Sequence, residues 1–220
     1  MGKDKLRKFE ENKRFKHVFQ PLSSDMANFG SEFKGRWREK FGNSNPIVLE
    51  LGCGKGEYTV ALSRKYPATN FIGVDIKGAR LWRGAKTVAD ENIPNAAFLR
   101  IRIEFIDNFF ATGEIDQIWI TFPDPQVNKP RKRLTSPSFL DRYSKFLKHG
   151  GLIHLKTDSQ ILYDYTVNVI KESNYSLLSS YADIYTQNPT DELLNIKTFY
   201  ESQYSAKGIA IKYLKFKMSK

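Results

Sequence analysis

The chain has 220 residues, 40% of them apolar, with 35 Lys and Arg against 24 Asp and Glu for a net charge of +11. That length suits one large α/β domain, alone or with an extension. No run nears the roughly 18 apolar residues of a membrane span, the charged opening MGKDKLRKFEENKRFKHVFQ lacks the apolar stretch of a secretory signal, and a single cysteine, Cys53, excludes an internal disulfide, so a cytoplasmic protein is the simplest expectation.

Residues 1–45 read as a basic arm in which Phe9, Phe15, Phe19, Phe29, Phe33 and Trp37 sit among lysines and arginines. Aromatics at this density predict that part of the arm packs, so that it is either part of the same domain or partly mobile. From Pro46 onward, strands and helices alternate, which sets a domain over 46–220. Ile47 to Leu51 is a buried-type strand, followed by Gly52, Gly54 and Gly56 and a helix through Lys65. Asn70 to Ile76 is a second strand. In GARLWRGAKTVADENI the apolar Leu81, Trp82, Ala85, Val88 and Ala89 share one helix face. Ala96 to Ile103 is a third strand and Gln117 to Phe122 a fourth, stopped by Pro123. Ser138 to Lys148 is helical, capped by Ser138. Leu152 to Thr157 is a fifth strand with a helix after Ser159. Two β-prone runs, Tyr175 to Ile184 and Lys207 to Lys217, close the chain with no clear helix between them.

This alternation predicts an α/β fold: a mostly parallel, seven-stranded sheet with helices on both faces and an antiparallel hairpin at one edge. Ligands of such sheets bind beyond the carboxyl ends of the strands. The residues to follow are therefore Gly52 to Gly56, Asp75, Arg102, Asp124 and Asp158. The spacing G-x-G-x-G is one residue short of the dinucleotide fingerprint, and no Gly-Lys-Ser/Thr follows to make a Walker loop. Asp75 lies 23 residues beyond Gly52, where a carboxylate can accept from both hydroxyls of a ribose. The set points to a nucleoside-type cofactor.

The positive balance favours a polyanionic partner, nucleic acid before an acidic membrane surface. The segment FPDPQVNKPRKRL places one acid between two prolines and then Lys129, Arg131, Lys132 and Arg133. The three histidines form no metal-ligand spacing, and Cys53 reads as a small packing residue. A run of surface cations is otherwise a solvated face, and a glycine turn otherwise a tight connection.

ELGCGKG followed by GVDIKGAR resembles the class I S-adenosylmethionine-dependent methyltransferases, whose fold is Rossmann-like. With FPDPQVNKPRKRLTSPSFL, HLKTDSQ and KTFYES, the chain resembles the bacterial tRNA (guanine-N(7)-)-methyltransferase family over about residues 46–217. The resemblance implies S-adenosylmethionine as cofactor and tRNA as partner, with no metal and no membrane, in a monomer or homodimer. It implies that Glu50, Gly52, Gly54, Asp75 and Asp124 hold the cofactor, with Asp124 also catalytic. The family's adenine-contacting acid falls on Arg102, whose guanidinium can only donate. The backbone of Ile101 to Ile103, or Glu104, would then make that contact. The family's Asp-Pro-Trp-x-Lys-x-Arg-His pattern reads here Asp124-Pro125-Gln126-Val127-Asn128-Lys129-Pro130-Arg131. The substrate lysine falls on Asn128 or Lys129, of which Lys129 carries the charge a phosphate needs. Arg131, Asp158, Thr198 and Glu201 match further substrate positions.

Guanine N7 is an unprotonated acceptor on the base edge, so methylation there needs no general base. The absence of a Ser-His-Asp or Cys-His set is therefore no obstacle to an enzyme. Catalysis would rest on alignment, with Asp124, Asp158 and Glu201 accepting from guanine's ring N–H and amino group and the basic run gripping phosphates. Two other readings share these residues: a methyltransferase of another RNA or of a small molecule, and a non-catalytic RNA-binding protein on a worn methyltransferase fold.

Overall fold

The computed structural model describes residues 3–21, 29–187 and 192–218. The elements in chain order are α1 (Lys3–Arg14), β1 (Val18–Phe19), α2 (Trp37–Phe41), β2 (Ile47–Leu51), α3 (Glu57–Lys65), β3 (Asn70–Val74), α4 (Gly78–Asp90), β4 (Ala96–Leu99), β5 (Ile115–Thr121), α5 (Pro137–Ser144), β6 (Leu147–Thr157), α6 (Gln160–Glu172), β7 (Ser176–Tyr181), α7 (Ile184–Gln187), α8 (Phe199–Ala206) and β8 (Lys212–Lys217). They build one sheet of order β1-β4-β3-β2-β5-β6-β8-β7. All neighbours are parallel except β8, which runs antiparallel to both β6 and β7.

Successive strand residues face opposite sides, so a sheet covered on both sides is buried at nearly every position, mostly by apolar residues. Ile47 to Leu51 and Asn70 to Val74 are buried throughout. Leu49, Ile72, Ile118 and Ile153 point into the larger core. Val48, Phe71 and Trp119 point into the other, beneath α3. Among the described residues no helix is long and apolar enough to cross a membrane.

The expected seven strands are eight. The addition is β1, from the N-terminal arm, which registers Val18 on Phe98 and Phe19 on Leu99 and covers the free edge of β4. The arm packs wherever it is described. Trp37 is fully buried and donates its Nε1–H to the Phe109 carbonyl at 2.9 Å. Helix α1 lies on α4: Asn12, also fully buried, donates to the Gly78 carbonyl, and the Trp82 indole donates to Glu11.

Several boundaries move. The third strand stops at Leu99, and Ile103–Asn108 turns into a 3₁₀ helix. The helix expected at Ser138 begins at Pro137, which occupies the first turn after Ser136. It ends early because β6 starts at Leu147 and runs through Gly150, whose φ of 77° absorbs the irregularity. The last two strands are separated by α7 and α8, where no helix was expected. Helix α8 is only eight residues long, too short for apolar periodicity to register, and it depends on a capping box between Thr198 and Glu201.

Candidate active site

The carboxyl ends of β2 to β5 open onto a cavity of about 490 Å³. Gly52, Asp75, Arg102, Glu104, Gln126 and Lys129 line its polar side, and Ile76, Ile101 and Ile103 its apolar side. Three elements far apart in sequence thus converge there: the glycine loop, the turn after β4, and the loop between β5 and α5.

The glycine loop is held from below. Gly52 and Cys53 donate to the Val74 carbonyl at 2.8 and 3.1 Å. Gly52, Gly54 and Gly56 all have φ between 55° and 75°, where other residues are strained. At Gly56 space is also decisive, because a Cβ would come within 2.5 Å of the Phe98 ring. Asp75 bridges the two turns. Its Oδ2 accepts from the Gly54 amide at 2.9 Å and its Oδ1 from the Lys77 amide at 2.7 Å. A carboxylate has about four acceptor sites, so Asp75 keeps capacity for a ribose diol. The nucleoside expectation fits this cavity: a fixed carboxylate at one wall, isoleucines at another, and backbone that can be approached closely at the glycines.

Glu50 is elsewhere. It is 4% exposed, is not part of the cavity wall, and accepts from the Thr59 amide and hydroxyl and from the Thr121 hydroxyl. Burial pushes its carboxyl up to about 7, against the downward pull of those threonine bonds. In this arrangement Glu50 ties β2 to α3 and β5 instead of facing a ligand. Cys53 is buried, and burial raises its thiol well above the usual range, as suits a packing residue.

Arg102 does line the cavity, with its side chain mostly exposed and paired with Glu104 at 3.1 Å. The carboxylates that line the cavity among the described residues are Asp75 and Glu104.

The loop after β5 is strained at two points. Phe122 and Gln126 have φ of 47° and 45°, a conformation that costs a non-glycine residue about 1–3 kcal/mol. The surroundings enforce it. Phe122 donates its amide to the Lys156 carbonyl at 2.8 Å, and the Gln126 amide donates to Asp124 Oδ1 at 2.9 Å. Arg133 reaches back to donate to the Pro125 carbonyl at 2.9 Å while its guanidinium stacks 4.4 Å over Tyr165. Asp124 is thereby exposed and fixed.

Arg133 was expected among the phosphate-gripping cations. It is 5% exposed and holds the loop together, so it is removed from that set. Asn128, Lys129, Arg131 and Lys132 remain exposed on the same loop, with Lys129 and Lys132 at the cavity.

Asp158 follows β6 and is half-buried, with Tyr204 near enough to sense its charge. Thr198 caps α8, and Glu201 lies in its first turn. Glu201 is fully buried: one oxygen pairs with Lys156 Nζ at 2.8 Å and accepts from the Tyr185 hydroxyl at 2.6 Å, and the other accepts from the Thr198 amide. It anchors its helix and offers no exposed oxygen to a base. Lys156 is equally buried and also donates to the carbonyls of Leu194 and Ile196 at 2.6 and 3.0 Å. The sequence reading missed Lys156. A lone lysine inside the apolar run LIHLKT was the available signal, since a charge in such a strand must find a partner. Beside the glycine loop, Lys55 sits 3.8 Å over the exposed ring of Phe199. Among the described residues there is no group of three His, Cys, Asp or Glu that could hold a metal.

Comparison with known proteins agrees with this geometry. A family model described as "Putative methyltransferase" matches residues 44–214. A tRNA (guanine-N(7)-)-methyltransferase of Christiangramia forsetii is 50% identical over 99% of both chains. One of Bacteroides fragilis is 51% identical over 98% of this chain and 86% of its own. The chain belongs to the tRNA (guanine-N(7)-)-methyltransferase family. Among solved structures, the 16S rRNA methyltransferase KamB superposes with a TM-score of 0.66 at 15% identity, over 86% of this chain and 95% of its own. A SAM-dependent methyltransferase from Aquifex aeolicus superposes at 0.56 with 12% identity, over 86% and 92%. These two likenesses show the fold.

Proposed function

We propose that the chain transfers the methyl group of S-adenosylmethionine to N7 of a guanine in tRNA, in the variable loop at position 46 of tRNA nomenclature. It acts in the cytoplasm as a monomer or homodimer, without metal. One observation carries the reading: a nucleoside-sized cavity with Asp75 fixed in its wall is closed on one side by the strained loop that bears Asp124 and Lys129.

S-adenosylmethionine, when bound, supplies a methyl group on a sulfonium. The chain does the rest by placement. Gly52 and Gly54 admit close backbone approach, and Asp75 accepts from the ribose. Ile76, Ile101 and Ile103 flank the base, with Glu104 or the backbone beside Arg102 meeting its amino group. Guanine N7 carries no proton, so none has to be removed. Asp124 and Asp158 accept from the ring N–H and amino group on the opposite edge, which orients N7. N7-methylation also leaves a positive charge on the purine, and fixed carboxylates nearby favour its development. Lys129, Arg131 and Asn128 meet the RNA backbone. Thr198 and Glu201 act through the helix they cap.

The test is purified protein with labelled methyl donor and unmodified tRNA, the product being mapped. N7-methylguanine in the variable loop is expected. Methyl transfer to another site or another RNA would overturn the substrate, and failure to bind the methyl donor would favour the non-catalytic alternative. Asp124→Ala is expected to cut turnover by more than a hundredfold with thermal stability unchanged. Near-wild-type turnover would remove Asp124 from its role.

A further inference from the structure

A second cavity, of about 500 Å³, lies at the amino-terminal end of β4. It is on the order of 15 Å from the first along that strand. It is as large as the cavity that suits a nucleoside, and the family's motifs contribute nothing to it. Its wall comes from the end of α1, the approach to β1, α2, and the turn between α4 and β4.

The lining chemistry is selective. Arg14, Lys16 and Lys40 are all at the wall, and among the described residues no Asp or Glu is. None of the three forms an ion pair with a described residue, whereas Arg7 and Lys13 on the same arm are both paired. Phe15, Phe19 and Phe41 supply half-buried aromatic surface beside them. Lys40 rests its ammonium 4.5 Å over Phe33, so its charge lies against the rings and stays close to the cavity. His17 donates its Nε2–H to the Ala85 carbonyl at 2.8 Å, which makes Nδ1 an acceptor. Asn92 adds an exposed amide able to donate and accept. An apolar ligand would leave three cations unanswered. A bare phosphate would leave the rings and the acceptor unused. A flat heteroaromatic base attached to a phosphate answers every group.

We propose that this cavity is a second nucleotide subsite, which takes an unpaired nucleotide of the same tRNA at a distance from the guanine being methylated. The inference rests on tRNA being the substrate. Base stacking on aromatic surface combined with cations along the backbone is how proteins hold single-stranded RNA, and a subsite away from the reacting base would select a folded RNA over an isolated loop.

The test uses the full chain with unmodified tRNA. Arg14→Glu/Lys16→Glu/Lys40→Glu is expected to raise KM for tRNA at least tenfold. Affinity for S-adenosylmethionine and kcat should stay unchanged. The logarithmic salt slope of tRNA binding should fall by about 2, at roughly 0.7 per phosphate contact for single strands. Phe41→Leu is expected to raise KM about fivefold or more with the slope intact, because it removes stacking and no charge. Unchanged KM in the triple variant, or in Phe41→Leu with normal S-adenosylmethionine affinity, would overturn the subsite. In a second arm, amine-reactive footprinting of the wild type compares tRNA with 5′-AMP. Protection of Lys16 and Lys40 by tRNA supports the proposal, and protection by 5′-AMP alone would overturn it in favour of a site for free nucleotides. If the wild type binds tRNA and shows this protection but leaves N7 unmethylated, the functional reading fails and the subsite stands.

Discussion

Glu50 gives the sharpest physical test. Its carboxyl is buried among Thr59 and Thr121, and burial, aided by the charge of Asp75, lifts it from 4.5 to about 7. The folded chain therefore holds a proton there that the unfolded chain releases above about 4.5. Folding stability is favoured by low pH at this group and is lost as pH rises through the interval from 4.5 to about 7. At 1.36 kcal/mol per pH unit, the whole loss is about 3 kcal/mol. Glu50→Gln imitates the protonated form: its carbonyl can accept from the Thr59 amide and its amide can donate to the Thr121 hydroxyl. Urea unfolding of both proteins from pH 5 to pH 8 is expected to show the variant gaining about 2–3 kcal/mol on the wild type across that span, the rest of the loss falling below pH 5. Taking the difference cancels the other carboxylates. It also cancels His154, which burial and the charge of Lys215 lower to about 3. That histidine contributes in the opposite sense, costing stability as pH falls below 6.5, so the wild-type curve alone would hide much of the Glu50 slope. A stability difference that stays constant from pH 5 to pH 8 would refute the reasoning.

Three further outcomes are expected. Lys156→Met leaves Glu201 buried without its cation and should cost about 3–5 kcal/mol, whereas Lys156→Met/Glu201→Leu should recover a substantial part of that loss in a double-mutant cycle; additive losses would show that the pair is not coupled. Arg133→Met removes a charged hydrogen bond to Pro125 and a stack on Tyr165, so unfolding should cost about 2 kcal/mol less than in the wild type, and turnover should fall with the salt slope of tRNA binding unchanged. Lys129→Ala/Arg131→Ala, in contrast, should lower that slope by about 1–2 while leaving stability within 0.5 kcal/mol or so of wild type; an unaltered slope would make this run a solvated face.

The parallel sheet was legible because buried strands flanked by glycine and proline leave an unmistakable pattern, as in IVLEL before Gly52 and QIWITF before Pro123. The placement of Asp75 and Asp124 beyond the carboxyl ends of β3 and β5 was legible for the same reason: each follows such a strand within a few residues. What was not legible depends on partners distant in the chain. β1 is two residues long and exists because Phe98 and Leu99 offer an open edge. Helix α8 exists through its capping box and the burial of Glu201 on Lys156, neither of which has a local period. Arg131 and Arg133 look alike in sequence. Only the fold shows that Arg131 faces solvent and that Arg133 turns under the loop to Tyr165.

Alignment chemistry demands that the groups around the reacting base hold still, and the molecule concentrates its constraint in one place. The Lys156 carbonyl accepts the amide of Phe122, the first strained residue of the Asp124 loop. The Lys156 side chain, projecting from the sheet, binds Glu201 and two carbonyls of the segment leading to α8. Asp158, two residues further on, is carried by the same strand end. A single strand position thus fixes both walls between which the guanine is proposed to sit. The strain at Phe122 fits this tie: its amide is held by the β6 carbonyl of Lys156, so the base of the Asp124 loop moves only if that bond breaks. The consequence is specific. Lys156→Met should lower kcat for tRNA more than it weakens binding of S-adenosylmethionine, since the cavity proposed for the cofactor lies at the ends of β2 to β5 and Lys156 does not line it. Equal losses in both would place Lys156 in general support of the fold instead.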